Sequence, residues 1–483
     1  MNWRRHQRKI LAPVVLVLAL GLAHETVLIA TRIRPPEVTL VTGAVHDEGG
    51  IRRMGAAYAR MTGGVREVYL EGSPERIGTG MSRLLYERMV DNENVLWKAF
   101  SHYVPLAPAR ALIMDVSRVE FRGVDRGFPD DRRREVAAQA KAFDPDPFAD
   151  RLPTYHRMVF LQSLYDISLS FEHSPLIGCS AFGLGPTATA DGHTLFARAF
   201  DLEAGEIFDR DKAVFFVRED GRIPFASVAW PGLVGVLSGM NLEGVAIEVN
   251  GARAKEPTTD GEPVVFALRE VLEHAHDTKE AVAILRRQRV MVSHIVFVGD
   301  AKGNFAIVER APGVEAFARE SFPDPDRVAI TNHFEGPLKD DPKNREVLAE
   351  TTTLPRRQRV DEMLGEILPG TATVEQAVAM LRDHTCANGV ACEIGDRRTV
   401  DAIIATHGIV ADTTDRTLWV SAGPHLSGAF VRFDLRRIFA PGHDPKDDPA
   451  PELIAADPIL KDGRFEAGQA RAGGPRIGGD MKP

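Results

Sequence analysis

From Cys179 onward the chain is a succession of short apolar runs of strand length, each bounded by Gly, Asp or Pro, and this texture limits the fold to one built mainly of sheets. The runs cover 194–200, 212–217, 225–230, 234–238, 245–249, 294–298, 305–309, 328–331, 402–405, 417–422 and 428–433. Residues 262–288 instead have helical period, with Val265, Leu268, Val271 and Leu272 on one face and a second helix from Thr278. Two further helices are expected over 356–367 and 374–381. The alternation predicts an α+β fold, a large antiparallel sheet system with flanking helices. Upstream, 52–59 reads as the start of a helix. Residues 68–78 read as a strand, a turn at Gly72-Ser73-Pro74 and a helix opening at the Ser-Pro pair. The charge-rich zone 118–151 reads as a surface excursion.

Length and charge bound the rest. With 483 residues and 44% hydrophobic content the chain can bury a substantial core. Its formal charge of -9 is spread along the sequence without a basic stripe, which argues against a nucleic acid partner. Arg4, Arg5, Arg8 and Lys9 precede an uncharged run over 10–23, the pattern of an export signal. Gly21-Leu22-Ala23 suits a signal peptidase, whereas Val27 to Ala30 extends the apolar stretch toward the roughly 20 residues of a spanning helix. The segment is therefore either a cleaved signal or a membrane anchor through 10–30, and the protein is expected to be exported, periplasmic or anchored facing the exterior. The chain divides into 1–37 (signal or anchor with linker), 38–178, 179–440 and a Pro/Asp/Gly-rich tail at 441–483, which should wrap the surface or stay disordered.

Three cysteines make an odd number for an exported chain. Cys386 and Cys392 form a disulfide loop, remain unpaired thiols, or join His384 and His407 around a metal; the last lacks a recognised ligand spacing. Cys179 stands alone in Leu176-Ile177-Gly178-Cys179-Ser180-Ala181-Phe182. A thiol is a useful nucleophile only as thiolate, with help from a histidine or a free amine, and a cysteine at a chain N-terminus carries its own base. No Gly-x-Ser-x-Gly element, P-loop or His-Glu-x-x-His occurs, so serine-hydrolase, nucleotide-driven and zinc-protease chemistry have no anchor. No cofactor or metal is called for.

A series of motifs around Cys179 carries more information. Gly178-Cys179-Ser180 is followed by a Gly-turned hairpin at Thr189-Ala190-Asp191-Gly192 and by Arg198-Ala199-Phe200-Asp201. Then come Gly239 to Asn250, the strand-turn-strand Ser293 to Glu309, Ala329-Ile330-Thr331-Asn332 and Thr353-Leu354-Pro355-Arg356; upstream stands Glu71-Gly72-Ser73-Pro74. In this order the series resembles the acyl-coenzyme A:isopenicillin N acyltransferase family, peptidase family C45, which is related to conjugated bile acid hydrolases. The resemblance implies an αββα sandwich of two stacked antiparallel sheets, the N-terminal-nucleophile hydrolase fold. It further implies cutting between Gly178 and Cys179, with an alpha and a beta chain that stay associated, and a small-molecule amide or acyl substrate.

Carried over residue by residue, Cys179 is the nucleophile and its freed amine the general base. Asp201 holds that amine or the substrate nitrogen, and Arg198 lowers the pKa of the thiol. Asn250 donates to the oxyanion, Asn332 orients the cysteine amine or the substrate, and Arg356 pairs with a carboxylate, with Arg357 and Arg359 competing for that role. Ser180 stands where many relatives have threonine, and Thr353 where serine is common. Two other readings remain: a Cys-His enzyme using His193, His333 or His384 without processing, and a non-enzymatic envelope binding protein on the same fold.

Overall fold

A computed structural model describes residues 3–170, 177–202 and 206–472; the side chains of 1–14, 16, 177, 471 and 472 lie outside the described set. Two sheets form the centre. The larger runs in the order β1 (His46–Glu48), β2 (Ile51–Met54), β3 (Ala57–Thr62), β4 (Val65–Gly72), β7 (Ala213–Glu219), β8 (Phe225–Ala229), β9 (Ser238–Asn241), β10 (Ala246–Gly251), β11 (His294–Gly299), β12 (Phe305–Arg310) and β13 (Phe317–Arg319). The smaller runs β14 (Arg327–Ile330), β5 (Ile177–Leu184), β6 (Leu195–Leu202), β15 (Ala405–Asp412), β16 (Thr417–Ser421), β17 (Phe430–Asp434) and β18 (Leu453–Ile454). Among the described strands the pairings are antiparallel except β4 with β7, so strands from before and after Cys179 share one sheet.

Side-chain alternation makes each sheet apolar on both faces, and three buried clusters fill the resulting gaps. One packs Val68, Phe215, Ile247 and Val296 of the large sheet against helices Pro74–Tyr103, Asp130–Ala142, Val264–His274 and Thr278–Arg287. The second lies between the sheets, where Phe216, Phe297 and Ile307 meet Phe196, Ile409 and Val420. The third sets Phe182, Leu195 and Trp419 against Val360 and Leu364 of helix Thr353–Glu366 and Val378 and Leu381 of helix Val374–Leu381. The order is helix, sheet, sheet, helix, the αββα arrangement the motif series implies.

Several expectations are corrected. Residues 52–59 are not helical: they are the two arms of a hairpin in which Met54 pairs with Ala57, and Gly55 at φ 62° makes the turn. The zone 118–151 is no surface excursion, because helix Asp130–Ala142 is largely interior. Arg132 and Glu135 are buried there and join Arg269, Glu219 and Glu273 in a closed ion network, with Arg269 to Glu135 and to Glu219 both at 2.9 Å. Charges that satisfy one another can enter a core that unpaired charges cannot. The run at 402–405 is displaced to β15, and β9 begins only at Ser238. Of the tail, Ile459 and Phe465 are buried against Ile403, while 473–483 fall outside the described residues.

Helix Trp3–Ala30 contains the apolar run 10–23; the side chains of 1–14 and 16 are outside the described set. Among the described residues no helix is long and apolar enough to cross a membrane. Cys386 and Cys392 are joined in a disulfide, which removes the metal and free-thiol alternatives.

Candidate active site

Cys179 lies near the start of β5, with its side chain fully buried. On the neighbouring β6, Gly178 faces Asp201, Cys179 faces Phe200 and Ala181 faces Arg198. Arg198 and, on β10, Glu248 and Asn250 all point into the space between the sheets, since the residues between them pack the opposite faces.

Every polar atom of Cys179 is engaged. Its backbone N–H donates to Asn332 Oδ1 at 2.8 Å, its carbonyl accepts from Arg356, and its sulfur receives Arg198 Nη2 at 3.5 Å. Asn332 in turn accepts from Arg356 Nη2 at 2.8 Å and donates to the Gly251 carbonyl at 2.9 Å. Arg356 also reaches Ser180 Oγ at 2.9 Å. The hydroxyl of Thr353 accepts from Asn332 N and donates to Thr331 Oγ1, both at 2.9 Å, so it ties the strand end carrying Asn332 to the helix carrying Arg356.

The three candidate arginines stand in different places. Arg356 is buried at Cys179, whereas Arg357 pairs with Glu335 and Asp361, and Arg359 with Asp383. Asp201 is buried opposite Gly178, where a Cβ would meet its carboxylate at an ordinary 3.5 Å. Asn250 donates to the Thr331 carbonyl at 3.0 Å. The three histidines of the Cys-His reading sit elsewhere: His193 binds Asp412, His333 binds Thr353 and His384 binds the Asp401 carbonyl.

Arg198 spans both sheets. It donates to the Leu237 carbonyl at 2.8 Å, to Ser238 and to the Val249 carbonyl, and its Nε lies 2.9 Å from Glu248. Glu248, fully buried, is the member the motif reading misses. The signal was present, an acid in the middle of the apolar run 245–249. Burial pushes its carboxyl up to about 7, with Arg198 opposing. The thiol shows the same contest. Burial pushes Cys179 up to about 11; Arg198 pulls it down as expected, but Glu248 and Asp201 push it up. In the continuous chain Cys179 is therefore a protonated thiol. Ser238 Oγ also meets His407 Nε2 at 2.9 Å, and burial holds that imidazole well below its ordinary range, hence neutral.

A cavity of about 110 Å³ lies apart from these residues, none of which lines it. Its walls come from Leu169 and Ser170 before the Gly178-Cys179 bond and from Ala252, Arg253, Val292 and Lys343 after it.

Comparison with known proteins agrees with the motif series. Residues 188–385 match the family model described as acyl-coenzyme A:6-aminopenicillanic acid acyl-transferase, a span holding Arg198, Asp201, Asn250, Asn332 and Arg356 but beginning after Cys179. An uncharacterized protein of Archaeoglobus fulgidus is 24% identical over 258 residues, 49% of this chain; the chain spans only 41% of that relative's length. Among solved structures, a Caenorhabditis elegans N-acylethanolamine-hydrolyzing acid amidase ortholog is 16% identical, covering 49% of this chain and 93% of its own, at TM-score 0.39. A mutant conjugated bile acid hydrolase from Clostridium perfringens is 13% identical, covering 58% and 97%, also at 0.39. Penicillin V acylase from Agrobacterium tumefaciens is 15% identical, covering 53% and 91%, at 0.34. From its hairpin after Cys179 to the helix bearing Arg356 and beyond, the chain is thus similar to the acyl-coenzyme A:6-aminopenicillanic acid acyl-transferase family, the one its motifs resemble.

Proposed function

We propose that this chain is a self-processing hydrolase or acyltransferase that cuts carbon-nitrogen amide bonds through Cys179. The observation that carries the reading is the convergence of Arg198, Asn332 and Arg356 on the three polar atoms of a single buried cysteine. In the first step the Cys179 thiol adds to the Gly178 carbonyl; a C–S bond forms, the Gly178–Cys179 C–N bond breaks and the proton moves to the new amine. Water then hydrolyses the thioester, leaving a carboxylate at Gly178 and a free thiol and amine on Cys179. The beta chain starting at Cys179 stays bound because β4 and β7 lie in one sheet.

In the mature enzyme the amine is the base, and Asp201, opposite the cut bond, steadies it. The thiolate attacks a substrate carbonyl, with Asn250 turning an N–H toward the oxyanion and Asn332 and Arg356 fixing the nucleophile's backbone. The acyl-enzyme passes to water in preference to an amine acceptor, since an exported protein meets little coenzyme A. We place the protein outside the cytoplasm, held or directed there by the apolar segment within helix Trp3–Ala30.

The test is turnover. Mature protein is expected to release nitroaniline from some members of a series of N-acyl p-nitroanilides of varied acyl group, and Cys179→Ser to release none above background. Equal rates for the two proteins would remove Cys179 from the chemistry.

A further inference from the structure

Helix Leu164–Ser170, which precedes the Gly178-Cys179 bond, turns two side chains inward, Tyr165 and Asp166. Asp166 is the anchor. Its two carboxylate oxygens accept from Val264 N at 3.3 and 3.2 Å, at the N-terminal end of helix Val264–His274, where the helix dipole favours an acceptor. The short helix is thereby pinned to the core independently of the bond that is cut.

Tyr165 is 7% exposed and belongs to the same buried cluster as Cys179 and Phe200. Its phenol lies within electrostatic reach of Cys179, Arg198 and Glu248. Its hydroxyl nevertheless has no hydrogen-bond partner among the described residues. Buried tyrosine hydroxyls ordinarily find a partner, because leaving the bond unmade is unfavourable. A buried hydroxyl left unpaired within electrostatic reach of Cys179 is available to a group that arises only during the reaction.

We propose that Tyr165 is a catalytic residue lent by the upstream chain, its O–H donating to the oxyanion formed when the Cys179 sulfur adds to a carbonyl. The inference rests on the reading of Cys179 as nucleophile. As the C–S bond forms, the carbonyl π pair moves to oxygen and is shared between Tyr165 and Asn250. When the pair returns, the C–N bond breaks, the amine takes its proton, and the phenol keeps its own. Burial raises the phenol far above its ordinary range, so it acts as a donor and not as a base. The alpha chain would then be part of the finished enzyme, held in place by Asp166.

The experiment compares full-length wild type with Tyr165→Phe, which keeps the ring. Three quantities are read: the rate at which a fragment starting at Cys179 appears, kcat and KM on the best N-acyl p-nitroanilide, and the thermal midpoint. Loss of an oxyanion donor predicts slower cutting and a kcat lower by about a hundredfold, with KM nearly unchanged and the midpoint equal or higher. Wild-type kcat and cutting rate in Tyr165→Phe would overturn the proposal and leave Cys179 untouched. A lower midpoint with kcat and KM changed together would assign Tyr165 a packing role and overturn it too. A wild type that neither cuts itself nor turns over any amide would instead take down the nucleophile reading, and this proposal with it.

Discussion

Replacing Arg198 by leucine is expected to destabilise the folded chain by about 3–5 kcal/mol, the cost of stranding a buried charge, and to stop the appearance of a fragment beginning at Cys179. The guanidinium, carried on β6, reaches the other sheet at the Leu237 carbonyl just before β9 and at the Val249 carbonyl of β10, faces Glu248 at 2.9 Å and is fully buried. Without it, Glu248 loses its only opposing charge and the Cys179 sulfur its only cationic contact among the described residues. Denaturant unfolding of single and double variants separates the two effects. Arg198→Leu combined with Glu248→Leu should recover most of the stability, since an apolar pair can replace a buried ion pair, yet still fail to cut. A single variant as stable as wild type, or one that matures normally, would contradict this account.

The second large effect is a pH dependence of stability with an acidic maximum. Burial raises several carboxyls in the folded chain, among them Asp166 and Glu248 to about 7 and Glu262 to about 8, the last aided by Glu270 and opposed by Arg310. In the unfolded chain each titrates near roughly 4. Raised acids bind protons more tightly when folded, so their contribution is complete below roughly pH 4 and is lost as pH rises through 7 to 8, each on the order of a few kcal/mol. Glu335 works the other way. Burial raises it, but a hydrogen bond from His333 and the charges of Arg357 and Arg319 outweigh that and lower it to about 2, so its contribution fades as pH falls from 4 toward 2. Unfolding midpoints in urea should therefore be highest near about pH 4, fall as pH rises from there to about 8, and level off above it. A midpoint that rises or stays level from about pH 4 to 8 would show that these carboxyls are not buried in the folded chain.

How much of this was legible in the sequence follows from how local each signal is. Strand runs such as 225–230, 294–298 and 305–309, and the helix opening at Ser73-Pro74, depend on neighbours in the chain, and they stand within a residue or so of the observed elements. The hairpin at 51–62 was hidden because Met54, Ala56 and Ala57 favour helix, and only the cross-strand pairing of Arg53 with Tyr58 overrides that preference. The interior of 130–142 was hidden because its charges find partners more than eighty residues away, as Arg132 finds Glu219. β15 was misplaced because Gly408 interrupts the apolar pattern. A side chain there would strike Leu426 at 2.4 Å, a demand visible only once the sheet is assembled.

The site divides in the same way. Cys179, Arg198, Asp201, Asn250, Asn332 and Arg356 could all be named from motifs, and the fold gathers Cys179, Arg198, Asn332 and Arg356 into direct contact and seats Asp201 opposite Gly178. The choice of Arg356 over Arg357 and Arg359 needed the helix orientation. Tyr165 carried no signal at all, since a tyrosine in a short helix upstream of Gly178 has nothing in its spacing to tie it to Cys179.

The central claim is that the Gly178–Cys179 bond is broken by Cys179 itself. Intact mass of purified wild type and Cys179→Ala, with the N-terminus of any smaller fragment read directly, tests it most plainly. Wild type is expected to yield a fragment beginning at Cys179 and Cys179→Ala to stay uncut; a single uncut wild-type chain that still hydrolyses amides, or a cut that survives in Cys179→Ala, would rule out cleavage by Cys179.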